Sequence, residues 1–395
     1  MTDSLSSGPD VARLWRDGAE ALRRGDHASA LAGFRQIVAA GRADAAVWTG
    51  LALAARGAGD ETLHGEALDQ LMALEPRNMR ALMMKGDHFA ARGDARAAQS
   101  YYGAFVRLAE TSGALSPDLA RDLVRAEAAN RQYAAAYEAH LRQALAARGL
   151  GGPGTARNAD SIDILLGKKR IYLQEPRGYY LPGLPQLEFY PRADFPWFDR
   201  VEAAWADIRA ELLAVLQQDG AFRPYIEGEA NRPTFDEHGL LHDPGWSAFY
   251  LWENGAIVPE NAARCPRTMA ALAEVPLCRI PGRTPSVLFS LLRPGVRIPP
   301  HHGFMNTRLI CHLPLIVPER CGLRVGNDSR TVVEGRGWAF DDTIEHEAWN
   351  DSGELRVILI FDVWKPELSA IERDLVSATL EAIDQFTGER SDLSV

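Results

Sequence analysis

The hydrophobic positions of the first part of the chain have a helical spacing, and the whole pattern recurs every 34 residues. Each recurrence contains large side chains, a small residue and a Gly-Asp pair. The pairs are Gly25-Asp26, Gly59-Asp60 and Gly93-Asp94; the small residues are Gly18, Ala52 and Gly86; one column of large residues is Phe34, Leu68 and Tyr102. The spacing predicts three helix pairs over 11–44, 45–78 and 79–112, with each glycine ending a helix in the left-handed conformation.

This pattern resembles the tetratricopeptide repeat (TPR), a helical unit with the same period. The resemblance implies a solenoid in which small residues let helices approach closely. Residues 116–148, with Pro117 at a helix start, are predicted to form capping helices. The groove of such a solenoid commonly holds a protein or peptide, which implies a docked substrate or other partner. The alternatives are a groove that serves only as a packing or dimerisation surface, or an ordinary helical bundle with coincidental spacing.

The remainder of the chain has a different composition. Residues 1–10 are expected to be disordered, 149–160 to be a Gly/Pro-rich linker, and 161–395 to be a second domain with a C-terminal helix. One helix is predicted over Asp194–Leu216. Short β-type runs follow at Val287–Leu292, Arg308–Val317, Gly322–Val325, Thr331–Val333, Trp338–Phe340, His346–Trp349 and Leu355–Trp364. The fold class is therefore a multidomain α + β protein with a helical solenoid followed by a β-sandwich or jelly roll.

Composition narrows the function classes. Hydrophobic residues make up 46% and charged residues 24%, which is typical of a globular chain. The net charge of −10 argues against a nucleic-acid partner. No apolar run is long enough to cross a membrane, and the N-terminus lacks the apolar core of a signal peptide. Four scattered cysteines predict a reducing compartment, so we expect a soluble cytoplasmic protein.

Candidate chemistry is concentrated in the β-rich segment, which contains four of the ten histidines. His301 and His302 follow Pro299-Pro300, which restrict the backbone, and His346 lies at the expected start of a strand. Arg356 lies in the apolar run LRVILIF, where a charge is unfavourable unless it meets a carboxylate or an anionic ligand.

Strand-borne histidines with a buried arginine fit a non-haem Fe(II) site that binds a dicarboxylate. The usual carboxylate ligand two residues after the first histidine is missing, because that position is Gly303 after His301 or Phe304 after His302. From these residues alone the iron site is one interpretation. Core histidines with a buried salt bridge are the other.

Three segments closely resemble the aspartyl/asparaginyl β-hydroxylase family: PHHGFMNTRLICHLPL at 300–315, GWAFDDTIEHEAWN at 337–350 and LRVILIFDVWKPEL at 355–368. The resemblance extends upstream to 181–198 and 246–255. It implies a double-stranded β-helix, a jelly-roll or cupin-like fold, that uses Fe(II), 2-oxoglutarate and O2 to hydroxylate a substrate, with succinate and CO2 as coproducts. Members of this family commonly carry tetratricopeptide repeats before the catalytic domain.

The resemblance also implies the roles of individual residues. The family has glycine where the carboxylate ligand would be, so Gly303 selects His301, with His346, as the metal ligands. Arg356 would pair with the far carboxylate of 2-oxoglutarate, as suits a guanidinium. The residues implied in cosubstrate binding beside Arg356 are Ser290, Trp246 and His312. Asp341 and Asp342 would orient His346 or an iron-bound water, or else form a turn.

Substrate binding is implied for Arg308, and His302 is either an exposed neighbour or a substrate contact. Ile310 departs from the family, whose members carry a second arginine there, and this leaves the substrate's charge open. We expect a hydroxylase acting on an aspartyl, asparaginyl or related residue of a protein or peptide. The alternatives are a small-molecule or lipid-chain hydroxylase, a partner-binding scaffold with a degenerate oxygenase domain, and a cupin holding zinc structurally.

Overall fold

The computed structural model describes residues 10–150, 155–218, 220–227 and 239–387, and it divides the chain into two units, Met1–Ile162 and Asp163–Val395. The predicted disorder of residues 1–10 lies almost wholly outside the described residues. So do positions 151–154 of the predicted linker. The last part of that linker is helical instead, since a helix begins at Ala156.

The first unit is helical. Its helices are α1 (Val11–Arg23), α2 (His27–Ala39), α3 (Ala45–Ala58), α4 (Glu61–Leu74), α5 (Met79–Ala91), α6 (Ala95–Glu110), α7 (Pro117–Ala146) and α8 (Ala156–Leu165), the last of which crosses the division. The first six pack as three consecutive pairs, so the predicted repeats of 34 residues are confirmed. The predicted capping segment is a single long helix, α7, which packs on α6.

The turns of the repeats explain the Gly-Asp pairs. Gly25, Gly59 and Gly93 all have φ between 74° and 76°, in the left-handed region that favours glycine. The aspartate after each glycine accepts a hydrogen bond from the third residue along: Asp26 from Ser29, Asp60 from Leu63 and Asp94 from Ala97. Each aspartate is thus the N-cap of the following helix, a role that the sequence pattern did not reveal.

The second unit consists of two antiparallel sheets with helices around them. Its strands are β1 (Arg223–Pro224), β2 (Trp246–Glu253), β3 (Ala256–Ile257), β4 (Val287–Leu292), β5 (Arg297–His301), β6 (Arg308–Ile316), β7 (Cys321–Val325), β8 (Asp328–Thr331), β9 (Trp338–Phe340), β10 (His346–Asn350) and β11 (Arg356–Trp364). The larger sheet has the order β1-β2-β4-β11-β6-β9, with β3 paired to β2. The smaller sheet has the order β5-β10-β7-β8.

Its helices are α9 (Phe198–Ala203), α10 (Trp205–Leu216), α11 (Pro259–Arg264), α12 (Pro266–Leu272) and α13 (Ala370–Thr387). The predicted single helix over Asp194–Leu216 is wrong, because the helix starts only at Phe198 and is interrupted at Ala204. Pro196 explains the late start, since a residue before proline disfavours the helical region and Phe195 has φ −131° and ψ 66°.

Two cores lie on opposite faces of the larger sheet. Side chains of α9, α10 and α12, such as Phe198 and Leu212, pack against one face with Phe289 and Leu359. The other face contributes residues such as Trp246 to a core that it shares with the smaller sheet. The predicted β-rich fold is confirmed as an antiparallel two-sheet domain, and the double-stranded β-helix stays a prediction.

Some strands differ from the prediction. Thr331–Val333 is wrong as a strand, because the tight turn at Gly326-Asn327 pairs Val325 with Asp328 and places β8 at Asp328–Thr331. The sequence pattern also missed β2 and β5. The prolines of β5 concealed it, but β5 is an edge strand, where missing amide hydrogens are tolerated.

The close contact between the two helices of a repeat, here called the repeat seam, can be tested by substituting two glycines. A β-carbon at Gly86 of α5 would collide with the ring of Tyr102, so Gly86→Ala should lower the free energy of unfolding by roughly 1–3 kcal/mol. At Gly103 of α6 the same atom would meet only the end of the Arg107 side chain, so Gly103→Ala should leave stability unchanged or raise it by up to about 1 kcal/mol. Urea titration followed by far-UV circular dichroism compares them. Equal effects would contradict the assigned seam.

Candidate active site

Two histidines lie side by side on neighbouring strands of the smaller sheet. His301 ends β5 and His346 begins β10, and the two are directly opposite in the antiparallel register. Their ring centroids are 4.0 Å apart. Both residues are buried, each with 8% of its surface exposed. The pairing of β5 with β10 therefore places two imidazoles together at the end of one ladder.

Backbone contacts orient both rings. Nδ1 of His301 lies 2.7 Å from the carbonyl oxygen of Pro299, and Nδ1 of His346 lies 3.1 Å from that of Ile344. Each Nδ1 donates its hydrogen to a carbonyl, so Nε2 is the unprotonated nitrogen of the neutral ring. Burial, together with the neighbouring His301, holds the pKa of His346 well below its usual range. Two imidazoles that are oriented in this way by the backbone are good metal ligands.

A third protein ligand is not present in the described ranges. No group of three or more His, Cys, Asp or Glu side chains there is arranged to hold a metal ion. Gly303 occupies the position two residues after His301. A β-carbon at Gly303 would collide with the carboxylate of Asp342, so that side chain fills the space beside the glycine. A metal here would have two protein ligands and open positions for other ligands.

Asp342 belongs to a buried ion cluster. Arg308 lies between two carboxylates, with Nη2 3.4 Å from Oδ2 of Asp342 and Nη1 3.2 Å from Oδ2 of Asp362. Burial raises the pKa of Asp342 to about 6, although Arg308 opposes this. Oδ1 of Asp342 is buried without a hydrogen-bond partner. Asp342 thus presents an acceptor beside the histidines, and the charge of Arg308 is matched within the protein.

Asp341, the preceding residue, has a different role. Its carboxylate accepts bonds of 2.6 Å from Nζ of Lys365, from Nε2 of Gln174 and from the hydroxyl of Thr343. Asp341 and Lys365 are both fully buried. Asp341 therefore ties the turn before β10 to neighbouring segments, and of the two aspartates only Asp342 lines the cavity with the histidines.

Arg356 begins β11 on the face that the larger sheet turns toward the smaller one. It is 2% exposed, and its Nε and Nη2 atoms have no hydrogen-bond partner among the described residues. Burial lowers the pKa of Arg356 to about 10. A buried guanidinium is unfavourable unless an anion accompanies it. An anion at this position would supply the partner that Nε and Nη2 lack.

His312 of β6 lies on the same face as Arg356. It is opposite Ile360 in the register, and its ring contacts that of Phe340 at 5.0 Å between centroids. Burial, and then the charge of Arg356, hold its pKa well below the usual range, so the ring is neutral. Among the described residues its Nδ1 is buried without a partner. In the tautomer that carries the hydrogen on Nδ1, this atom can donate to a ligand.

Trp246 and Ser290 form the adjoining part of this face. The indole Nε1 of Trp246 donates to the Ser290 hydroxyl at 3.1 Å, across the β2–β4 pairing. Tyr225 stacks on Trp246 with 4.0 Å between ring centroids and an angle of 8°. Tyr225 could not be recognised from the sequence pattern, because its position depends on the pairing of β1 with β2. Asp362 was also missed, although a charge within an apolar strand could have indicated it.

One cavity brings most of these residues together. It is lined by Tyr225, Trp246, Ser290, Ile298, His301, Gly303, Arg308, Ile310, His312, Leu323, Phe340, Asp342, His346, Ala348 and Ile360. His302 does not line it; its Nε2 lies 4.0 Å from the carboxylate of Glu175. Arg356 does not line it either, although it shares the sheet face. The roles predicted for all these residues stay predictions.

Comparison with known proteins identifies the region that holds the site. Residues 202–366 match the family model described as aspartyl/asparaginyl beta-hydroxylase. The ornithine lipid ester-linked acyl 2-hydroxylase of Rhizobium tropici is 37% identical over 185 residues, covering 45% of this chain and 60% of that protein. The human aspartyl/asparaginyl beta-hydroxylase is 37% identical over 177 residues, covering 44% of this chain but only 22% of that protein.

The helical unit is also matched among solved structures, by PcrH from Pseudomonas aeruginosa. The match covers 33% of this chain and 98% of that one, at 16% identity and a TM-score of 0.29. A likeness this low adds nothing to the assignment of the repeats, which rests on the three helix pairs. In the described part of the chain, no helix is both long and apolar enough to span a bilayer.

Lys365→Met tests whether the buried ion pair of Lys365 with Asp341 stabilises the domain that contains the site. It leaves the fully buried carboxylate of Asp341 without its cation, so we expect a loss of about 3–5 kcal/mol in the free energy of unfolding. The control is Arg336→Met, since Arg336 is 77% exposed and its pair with Glu202 should contribute at most about 1 kcal/mol. Urea titration followed by tryptophan fluorescence measures both. Equal losses would show that the Lys365–Asp341 pair does not stabilise the domain.

Proposed function

We propose that this chain is an Fe(II)- and 2-oxoglutarate-dependent dioxygenase, because residues 202–366 match the family model described as aspartyl/asparaginyl beta-hydroxylase. It would hydroxylate an aspartyl, asparaginyl or related residue of a protein or peptide. The observation that carries the proposal is the pair of backbone-oriented histidines in the same domain as a buried arginine that has unpartnered nitrogens among the described residues. The histidine pair is suited to a metal, and the buried arginine is suited to an anionic cosubstrate.

The metal would be held by Nε2 of His301 and Nε2 of His346. Both rings already have the required tautomer because Nδ1 is bound to the backbone. Two protein ligands leave the remaining positions for a chelating cosubstrate, water and O2. Fe(II) with bound 2-oxoglutarate supplies the oxidising chemistry, in which O2 is consumed, succinate and CO2 are formed, and the substrate gains a hydroxyl group.

2-Oxoglutarate fits the sheet face beside the metal site. Arg356 would form a bidentate pair with its far carboxylate, which would satisfy the unpartnered Nε and Nη2. Ser290, fixed by Trp246, would donate its hydroxyl hydrogen to the same group. His312, neutral and with a buried unpartnered Nδ1, would contact the carboxylate nearer the metal. Apolar neighbours such as Ile360 would exclude water.

Asp342 would act on the substrate side. Its unpartnered Oδ1 would accept a hydrogen bond from water at the metal, while Arg308 holds its other oxygen. This arrangement would position the water until substrate displaces it. Two facing antiparallel sheets with this site between them support a double-stranded β-helix as the fold of the domain.

A lipid-chain or small-molecule hydroxylase is the second candidate. It is favoured by the similarity to the Rhizobium acyl hydroxylase and by Ile310, an apolar residue lining the cavity. The helical repeats favour the peptide instead, since a solenoid offers an extended docking surface. A cytoplasmic location is supported by four cysteines that are all buried and unpaired.

Binding measurements test the proposed metal site and the proposed cosubstrate site separately. With Mn(II) as a redox-inert substitute for Fe(II), His346→Ala should lose metal binding and with it 2-oxoglutarate binding. Arg356→Met should keep Mn(II) but bind 2-oxoglutarate on the order of 100-fold more weakly, because losing one partner of a buried charge pair costs about 2–5 kcal/mol. Isothermal titration calorimetry measures both ligands.

The matched control for that experiment is Arg297→Met, which changes an exposed arginine on β5 that pairs with Asp351. It should bind both ligands as the wild type does. Within the described residues, Nε and Nη2 of the buried Arg356 have no hydrogen-bond partner, so Arg356→Met should not lower the stability of the fold. Unchanged 2-oxoglutarate affinity in Arg356→Met would exclude the proposed cosubstrate site.

Turnover provides an independent test. Wild-type protein with Fe(II), O2 and 2-oxoglutarate should form succinate slowly, and His301→Ala should form none because it lacks a metal ligand. Adding candidate peptides, or an ornithine-containing lipid in detergent micelles, should accelerate succinate formation for the correct substrate class. If the wild type shows neither succinate nor metal-dependent binding of 2-oxoglutarate, the domain is a degenerate scaffold.

A further inference from the structure

We propose that the groove between α6 and α7 binds an extended acidic peptide. This α6–α7 groove has a volume of about 630 Å³ and is open to solvent. Its floor includes the half-buried Gly103, Asn130 and Ala134, and its walls carry Arg96, Arg107 and Arg131. The inference deepens the proposal that the helical repeats dock a peptide, by giving the position and the charge of that peptide.

The charge of the groove is the first argument. Its lining contains three arginines and no acidic residue, although the chain as a whole has a net charge of −10. Arg131 has one carboxylate neighbour, with Glu127 at 3.7 Å. Within the described residues, Arg96 and Arg107 have no carboxylate within 4.0 Å. A local cluster of unmatched cations in an acidic protein selects an anionic partner.

The dimensions favour an extended segment. Arg96 and Arg107 are separated by 11 positions on α6, which corresponds to about 16 Å along the helix. An extended chain covers that distance in about five residues. Carboxylates some four or five residues apart on one peptide would therefore reach both arginines at once.

The overall charge of the protein favours a peptide over a nucleic acid. A nucleic acid carries a negative charge on every phosphate along its length, and a chain with a net charge of −10 repels such a polyanion. A short acidic peptide presents only a few carboxylates, which the groove arginines can match. The uncharged Asn130 and Ser100 of the lining offer polar side chains to the backbone of such a peptide.

The test uses the full chain and a fluorescein-labelled peptide of about eight residues that alternates glutamate and serine. Fluorescence anisotropy should show binding that weakens as salt rises, and the same peptide with glutamine should bind at least about fivefold more weakly. The double variant Arg96→Ala/Arg107→Ala should bind the acidic peptide roughly tenfold more weakly, since each exposed ion pair contributes a factor of about three to five.

The control is Arg121→Ala, an exposed arginine on α7 outside the groove, which should bind like the wild type. Equal affinity for the glutamate and glutamine peptides, or no loss in the double variant, would overturn the proposal. Tighter binding of oligo-dT than of the acidic peptide would assign the groove to nucleic acid instead. Binding of 2-oxoglutarate with Mn(II) should be unchanged in the double variant. The peptide-groove proposal and the oxygenase proposal can therefore be contradicted independently of each other.

Discussion

The alternation of side chains along β4, β6 and β11 decides where the polar groups of the site lie. Because successive residues of a strand point to opposite faces, Ser290, His312 and Arg356 share one face of the larger sheet while Phe289, Cys311 and Leu359 share the other. The set that contains Phe289 packs against helices, and this packing holds the strands in place. A shift of one residue in any of these pairings would exchange the two sets. The polar side chains of the site would then lie under the helices, and the apolar ones would face the smaller sheet.

The buried cations of this domain differ in whether protein groups pair with them. The cluster around Arg308 and the pair of Lys365 with Asp341 are matched by protein groups, so they stabilise the positions of strands and turns. In the described part of the chain, Nε and Nη2 of Arg356 have no such partner in equally buried surroundings. This difference makes Arg356 a candidate binding group, and residue type alone would not separate it from the other buried cations.

The helical repeats could be predicted from sequence almost completely, because a repeat contains its own turn and seam. The strands that hold Ser290, Arg308 and Arg356 were also predictable from their apolar runs. What could not be predicted depends on pairing between distant segments: the edge strand with two prolines that ends at His301, the stacking of Tyr225 on Trp246, and the closeness of Asp342 to Gly303. The predicted strand Thr331–Val333 failed because Val332 packs in the core without pairing in a sheet, while Val333 is exposed.

The closeness of Gly303 and Asp342 also limits how this site could change. An aspartate at position 303, which would give the more usual trio of metal ligands, would have to occupy the volume that the Asp342 side chain already fills. It would also bring two carboxylates together in a buried space served by a single guanidinium. A change from two candidate metal ligands to three therefore requires two substitutions, one at each position. The aspartate at position 303 alone would collide with Asp342, so a steric barrier separates the two designs.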